Sequence, residues 1–374
     1  MHKYRNNIGK NKASTDYITA IIAVVLSVFG VLMVQSASRN SNGQYVIKQA
    51  FAVFLGICFM FILSYLNYEL FLNVKVSVAL FSFSVILLVL TLFIGVGEGN
   101  RSWINLEGLS LNIQPSEFVK VLFILTFAKH LDTVKSSINK IQNVILLMVH
   151  AGIITGLVIL QGDLGSALVF VFIAVVMCFT QGLSIWYLIG GSLGVVCASP
   201  YLWQFLKPYQ QQRILVGFNP ELDPLGYGYQ QILSKNAIIN SSVFGTGYMN
   251  STVSPTIPYN HTDMIFAVIA EELGIVGVFV LMVLFSVLII RITKTAFNAR
   301  KDIGSAICAG VVALLVAQIS ENIGMTLGLL PIVGITLPFI SYGGSSVLST
   351  FLAIGIVMSV YRYRNKYFFE REPS

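Results

Sequence analysis

Of the 374 residues, those of the AVILMFWYC set make up 56%, Asp, Glu, Lys and Arg only 10%, and the mean hydropathy is +0.80. A soluble globule needs roughly 25% charged residues to solvate its surface, so a pair of soluble domains is excluded and a polytopic integral membrane protein is expected. The net charge of +7 is dispersed in short clusters between apolar runs, a pattern that sets topology and excludes a nucleic-acid-binding face.

A spanning helix takes about 20 mostly apolar residues. In chain order the runs are 17–34, 50–66, 76–96, a shorter 118–131 interrupted by Lys120 and Lys129, 144–160, a shorter 166–180, 185–202, 264–290, 303–330 and 345–361. The first reads as an uncleaved signal anchor, because its apolar stretch exceeds the usual signal core. With ten spans and both termini cytoplasmic, 15 of the 23 Lys and Arg residues fall in inner segments and six in outer ones, as the positive-inside rule requires. The expected fold is therefore all-α: a cytoplasmic tail over 1–16, a ten-helix membrane domain over 17–361, and a second tail over 362–374. Its outer loops cover 97–117 and 203–262, the longer one joining the seventh and eighth spans. Within that loop, 227–239 has the spacing of an interfacial helix. The four cysteines, Cys58, Cys178, Cys197 and Cys308, stand singly in apolar runs and read as buried packing thiols. Gly190/Gly194 and Gly324/Gly328 have the spacing that lets helices approach closely.

Ionisable residues at membrane depth are functional candidates by default. Glu117 and Lys120, three apart, share a helical face behind Pro115, which suits a first helical turn. With Arg101 and Trp103 they are expected to gather at the outer mouth of that helix. Asp163 stands in a five-residue turn, placed to cap the next helix. Asp263 opens the eighth span and is expected in its first turn, where the helix dipole favours the ionised form. Glu271, eight residues on, is expected to face the same internal cavity, and His261 is a second candidate proton acceptor. Pro331, Pro338 and the Ser341–Ser346 stretch interrupt the last helices near the outer face, which suits either a transport site or the wall of a substrate cavity.

Several strings, in order, resemble the shape, elongation, division and sporulation (SEDS) family. They are Arg101-Ser102-Trp103-Ile104, Gln114-Pro115-Ser116-Glu117, Asp163-Leu164-Gly165, Arg213 with Asn219-Pro220-Glu221, His261-Thr262-Asp263, Glu271-Glu272-Leu273-Gly274, Leu337-Pro338-Phe339 and Ser341-Tyr342-Gly343-Gly344-Ser345-Ser346. The stretch from Asn322 to Ile335 looks most like the rod-shape branch. Gly162 departs from the family's usual proline, and Tyr259 from a common acidic residue. The resemblance implies a peptidoglycan glycosyltransferase of the bacterial cytoplasmic membrane, serving cell elongation and shape, with its active site facing outside. The substrate implied is lipid II, the partner a class B penicillin-binding protein, and no nucleic acid is involved. Asp263 matches the family's essential acid. Lys48, Arg101, Trp103, Glu117, Lys120, Asp163, Arg213, His261 and Thr262 are the expected substrate-binding set, with cations neutralising the departing diphosphate. No cofactor is required by the pattern, and a divalent cation, Mg or Mn, is left open. A lipid II flippase and a non-catalytic scaffold for a transpeptidase are the competing readings.

Overall fold

The computed structural model describes residues 15–39, 43–97, 100–106, 111–206 and 208–364. Most of the two expected tails, and parts of the 97–117 loop, lie outside the described residues. Besides four short 3-10 turns, the elements among the described residues are twelve α-helices and one short hairpin. In order they are α1 (Tyr17–Ala37), α2 (Gln44–Tyr65), α3 (Val74–Ile94), β1 (Ile104–Leu106), β2 (Leu111–Ile113), α4 (Pro115–Val134), α5 (Ile141–Leu160), α6 (Leu164–Thr180), α7 (Ile185–Phe205), α8 (Pro208–Phe218), α9 (Tyr229–Ile239), α10 (Ile265–Phe297), α11 (Asp302–Thr326) and α12 (Gly344–Tyr363).

All ten expected spans are helical, and seven of them are long and apolar enough to cross a membrane. The two short runs differ in an instructive way. α4 extends to 20 residues because Lys120 is buried against Glu117 and Lys129 pairs with Asp132 at 3.0 Å, so neither cation breaks the helix. α6 stays at 17 residues, capped by Asp163, whose carboxylate accepts the Ser166 N–H at 2.9 Å.

α11 and α12 form the centre, with 78% of their most apolar stretches buried. α12 packs along α2, and α11 lies between α6, α10 and α4. α1 packs on α10 and α2, burying Ala23, Leu26 and Val34, and at Gly30 it passes close against the Phe339–Ile340 backbone. α7 carries no buried residue among those described. It is tied at its start, where Asn139 accepts the Ser184 N–H at 2.7 Å and donates to the Gly182 carbonyl at 3.1 Å. The two chain ends share one face of the bundle: Arg362 donates to Thr15 at 3.1 Å, and Arg291 to the buried Asp16 at 2.6 Å. The hairpin, α8, α9 and the turn before α10 crowd the opposite end.

Three packing expectations are corrected. Cys178 and Cys308 are buried, but Cys58 and Cys197 are exposed on the flank of the bundle, where an apolar thiol is at home against lipid. Gly190 and Gly194 have open space where a Cβ would stand, so they mark no close helix approach. Gly328 lies past the end of α11, in a terminating turn where the Gly324 carbonyl accepts the Leu329 N–H at 2.8 Å and the Met325 carbonyl accepts the Gly328 N–H at 3.1 Å.

Sequence reading treated the eighth span as one continuous helix, but α10 is broken. Gly274 sits at φ 63° and ψ −161°, a region essentially reserved for glycine. The carbonyls of Glu271 and Glu272, freed by the break, accept the N–H groups of Thr246 and Gly247 at 2.9 Å each. Beyond the break, the Val276 N–H donates to the Val243 carbonyl at 3.2 Å. The 242–254 segment thus plugs the gap and satisfies backbone groups that hydrocarbon would leave unpaired.

Candidate active site

A cavity of about 1010 Å³ opens at the loop-crowded end of the bundle. Asp263 lines it, together with Lys48 from α2, Trp103 from just before β1, Glu117 from α4, Asp163 from the turn before α6 and Arg213 from α8. His261 and Thr262 complete the expected set on its wall. The structure therefore brings together eight residues scattered between positions 48 and 263.

The turn carrying Asp263 is held by its backbone, which leaves the side chains to the cavity. The carbonyl of His261 accepts the Tyr342 N–H at 2.8 Å. The Thr262 carbonyl accepts the Ser341 hydroxyl at 2.7 Å, and the Asp263 carbonyl accepts the Asn322 amide at 2.8 Å. Asn322 also donates to the Ile335 carbonyl at 2.7 Å, and Gln49 donates to the Ser341 carbonyl at 2.9 Å. Three consecutive carbonyls are thus fixed by α11, α12's leading loop and α2. Sequence reasoning missed Gln49 entirely and had Asn322, Ser341 and Tyr342 only as motif members; their polar side chains or amides in otherwise apolar surroundings were the available signal.

Asp263 departs from expectation. It precedes the Met264 cap of α10 and lies outside the first helical turn, so the helix dipole does not dominate its charge. Burial, reinforced by the Asp163 charge nearby, pushes its carboxyl up to about 6. Among the described residues no side chain donates a hydrogen bond to it. Asp163 is likewise raised by burial, against the opposing pull of its Ser166 bonds and of Lys120. Its second oxygen accepts the Gln114 amide at 3.1 Å. The preceding Gly162 has φ 85°, which no proline adopts, so the departure from the family's proline gives this turn a different backbone.

Two expected cations do not face the cavity. Lys120 is fully buried beneath it, donating to Glu117 at 2.7 Å, while Ser349 donates to the other Glu117 oxygen at 3.3 Å. Arg101 is exposed and points along α3, with its guanidinium 3.5 Å from the Leu92 carbonyl. The cations on the cavity wall are Lys48 and Arg213. Glu271 is also corrected. Its carboxylate turns away to accept the N–H groups of Thr252, Val253 and Ser254 at 2.7–2.8 Å. Glu272 accepts the hydroxyls of Ser36 at 2.5 Å and Ser251 at 2.7 Å. Both acids latch the 242–254 segment and do not meet the cavity.

Among the described residues no three His, Cys, Asp or Glu side chains converge as a metal-binding group. Asp163 and Asp263 offer a carboxylate pair, which suits a hard cation only when further oxygens arrive with a phosphate.

The family model for the cell cycle proteins FtsW, RodA and SpoVE matches residues 16–366. Stage V sporulation protein E of Bacillus subtilis is 34% identical over 363 residues, covering 94% of this chain and 98% of its own length. The peptidoglycan glycosyltransferase MrdB of Escherichia coli K12 is 38% identical over 273 residues, covering 71% of this chain and 72% of its own. Among solved structures, a chain from work on the coordination of polymerization and crosslinking by a peptidoglycan synthase complex aligns with a TM-score of 0.82 at 30% identity, covering 94% of this chain and 99% of its own. The rod shape determining protein RodA of Thermus thermophilus aligns at 0.72 and 26%, with 94% and 98% covered. With the motifs in order, the fold shared and the family model spanning nearly every described residue, this chain belongs to the SEDS family of FtsW, RodA and SpoVE.

Proposed function

We propose that this chain is a peptidoglycan glycosyltransferase that polymerises lipid II at the outer face of a bacterial cytoplasmic membrane, in the service of elongation and shape. The observation that carries the reading is Asp263: a carboxyl with a raised pKa, with no side-chain donor among the described residues, on the wall of a large cavity that also presents Lys48 and Arg213. The names of the relatives, MrdB and FtsW peptidoglycan glycosyltransferases, point the same way. Ten helices at the expected runs and the positive-inside count support ten spans with both termini inside, a topology in which this cavity faces outside.

Lipid II keeps its polyprenyl tail in the bilayer and its sugar diphosphate in water, so its polymerase needs acid–base groups at the interface beside a hydrophobic flank. Asp263 takes the proton from the acceptor hydroxyl as that oxygen attacks the anomeric carbon of the donor. The new C–O bond forms as the bond to the diphosphate oxygen breaks, with inversion, and polyprenyl diphosphate departs. A carboxylate base works best with a pKa near the working pH, and burial beside Asp163 supplies that shift. Lys48 and Arg213 offset the charge developing on the leaving diphosphate. Lys120, committed to Glu117, acts through the shape and charge of the cavity floor. A divalent cation entering with the diphosphate would be held by Asp163 and Asp263, adding positive charge at the leaving group. A class B penicillin-binding protein is the expected crosslinking partner, supported by the synthase-complex neighbour.

Purified chain supplied with lipid II should make glycan polymer, and Asp263→Ala should make it about 100- to 10,000-fold more slowly, the usual reach of a general base. Near-normal polymer from the variant removes Asp263 from this role. Lipid II movement across liposomes without polymer from the wild type would favour a flippase instead. Running the assay with a chelator decides the cation.

A further inference from the structure

Beside Asp263 the cavity wall carries three aromatic rings that the mechanism leaves unused. The rings of Tyr45 on α2 and His261 lie 4.6 Å apart at 38°. Tyr342 stands edge-on to Tyr45 at 5.0 Å and 5.7 Å from His261. All three line the cavity, and Lys48 follows Tyr45 by one helical turn. The rings come from three separate elements, and the backbone bond from Tyr342 to the His261 carbonyl at 2.8 Å locks two of them together.

The imidazole is also oriented electronically. The buried Asn260 donates through Nδ2 to the carbonyls of Ala37 at 3.1 Å and Ser254 at 3.0 Å. Turning that amide over would set its oxygen against two carbonyl oxygens, so its Oδ1 must face the other way, 3.2 Å from His261 Nδ1. An amide oxygen accepts only, hence Nδ1 carries the proton. The proton on Nδ1 leaves Nε2 as a bare acceptor, and among the described residues nothing donates to it.

We propose that Tyr45, His261 and Tyr342 form a saccharide subsite, in which the rings pack against a sugar's C–H face and His261 Nε2 accepts a hydrogen bond from a sugar hydroxyl or acetamido N–H. The subsite rests on the lipid II reading and specifies which part of that substrate meets this wall. Lys48, one turn along, is then placed for the adjoining diphosphate. His261 is a binding and positioning residue for the sugar, and proton removal stays with Asp263.

The test uses the full chain in nanodiscs on an Asp263→Ala background, so that nothing turns over. Binding of two probes is compared: lipid II, and undecaprenyl diphosphate, which has no sugar. His261→Asn, whose amide reaches only the Nδ1 position, should weaken lipid II about five- to tenfold, the worth of one hydrogen bond, and leave the sugarless probe unchanged. His261→Gln, which returns an acceptor near the Nε2 position, should recover most of the loss. Equal weakening of both probes, or no weakening of either, overturns the subsite while leaving the proposed activity intact. Nitrogen-15 NMR of histidine-labelled protein gives an independent reading, with the His261 signals assigned by their loss in His261→Asn. An unprotonated Nε2 that shifts with Asn260→Ala supports the assignment, and a protonated Nε2 in the unaltered chain overturns it. Failure of the unaltered chain to bind lipid II at all would instead sink the activity itself, whatever the NMR shows.

Discussion

Asp163 and Asp263 are the pair of side chains in which charge, burial and function meet. Each is raised by burial, and the Asp163 charge adds to the shift of Asp263. A base must be ionised to work, so polymerisation should rise with pH through about 6 and level off above it. Asp163→Asn keeps a good helix cap for α6 but removes the neighbouring charge. The midpoint of the pH–rate profile should therefore move to lower pH, and an unmoved midpoint would separate the two carboxylates functionally. Lys120 and Glu117 pose a stability question instead. Their contact of 2.7 Å at full burial means that losing one partner strands the other's charge. Lys120→Met should cost about 3–5 kcal/mol, whereas Lys120→Met with Glu117→Gln should recover much of it; thermal unfolding of the purified proteins measures both.

At the scale of elements, the break in α10 gives the Glu271-Glu272-Leu273-Gly274 string its physical meaning. The string resembled part of the family pattern, and spacing alone suggested that its acids face a cavity. They face the 242–254 segment instead, because Gly274 releases two carbonyls that only a docked loop can satisfy. That outcome was not legible, since the partners lie far off in sequence: Ser36 and Glu272 are 236 positions apart. The hairpin was also missed, its strands of three residues being too short for a periodic signal. What periodicity and caps did reveal were helices at all ten expected runs, the Pro115 start of α4 and the Asp163 cap. Local rules read local bonds well and long-range ones poorly. Gly274→Ala should cost about 1–3 kcal/mol for the backbone conformation alone, and its Cβ would also strike the Ser242 carbonyl and the Gly245 amide. Hydrogen exchange should then rise at the Thr246, Gly247 and Thr252–Ser254 amides. Unchanged protection there would show that the latch does not depend on the break.

At the scale of the whole molecule, function depends on which side of the membrane the cavity faces. The two ends of the bundle differ chemically. One holds the chain termini with Arg291, Arg362 and the Lys135–Asp302 and Lys301–Glu69 pairs. The other holds the cavity, the hairpin and the 203–262 segment. Positive charge concentrates at the first end, which the positive-inside rule places in the cytoplasm. An even number of crossings is what keeps both termini there, so on the ten-span proposal the short α6 and the loosely packed α7 each cross, and the loss of one alone would move the C-terminus to the other side. Substituted cysteines test this directly in a chain whose four native thiols are replaced by alanine or serine. Asn250→Cys, in the exposed part of the long loop, should react with a membrane-impermeant maleimide in intact cells. Lys140→Cys, between α4 and α5, should react only after the membrane is opened. The reverse pattern would put Asp263 on the cytosolic side, away from any wall, and labelling of both sites from outside would mean that a helix between them fails to cross.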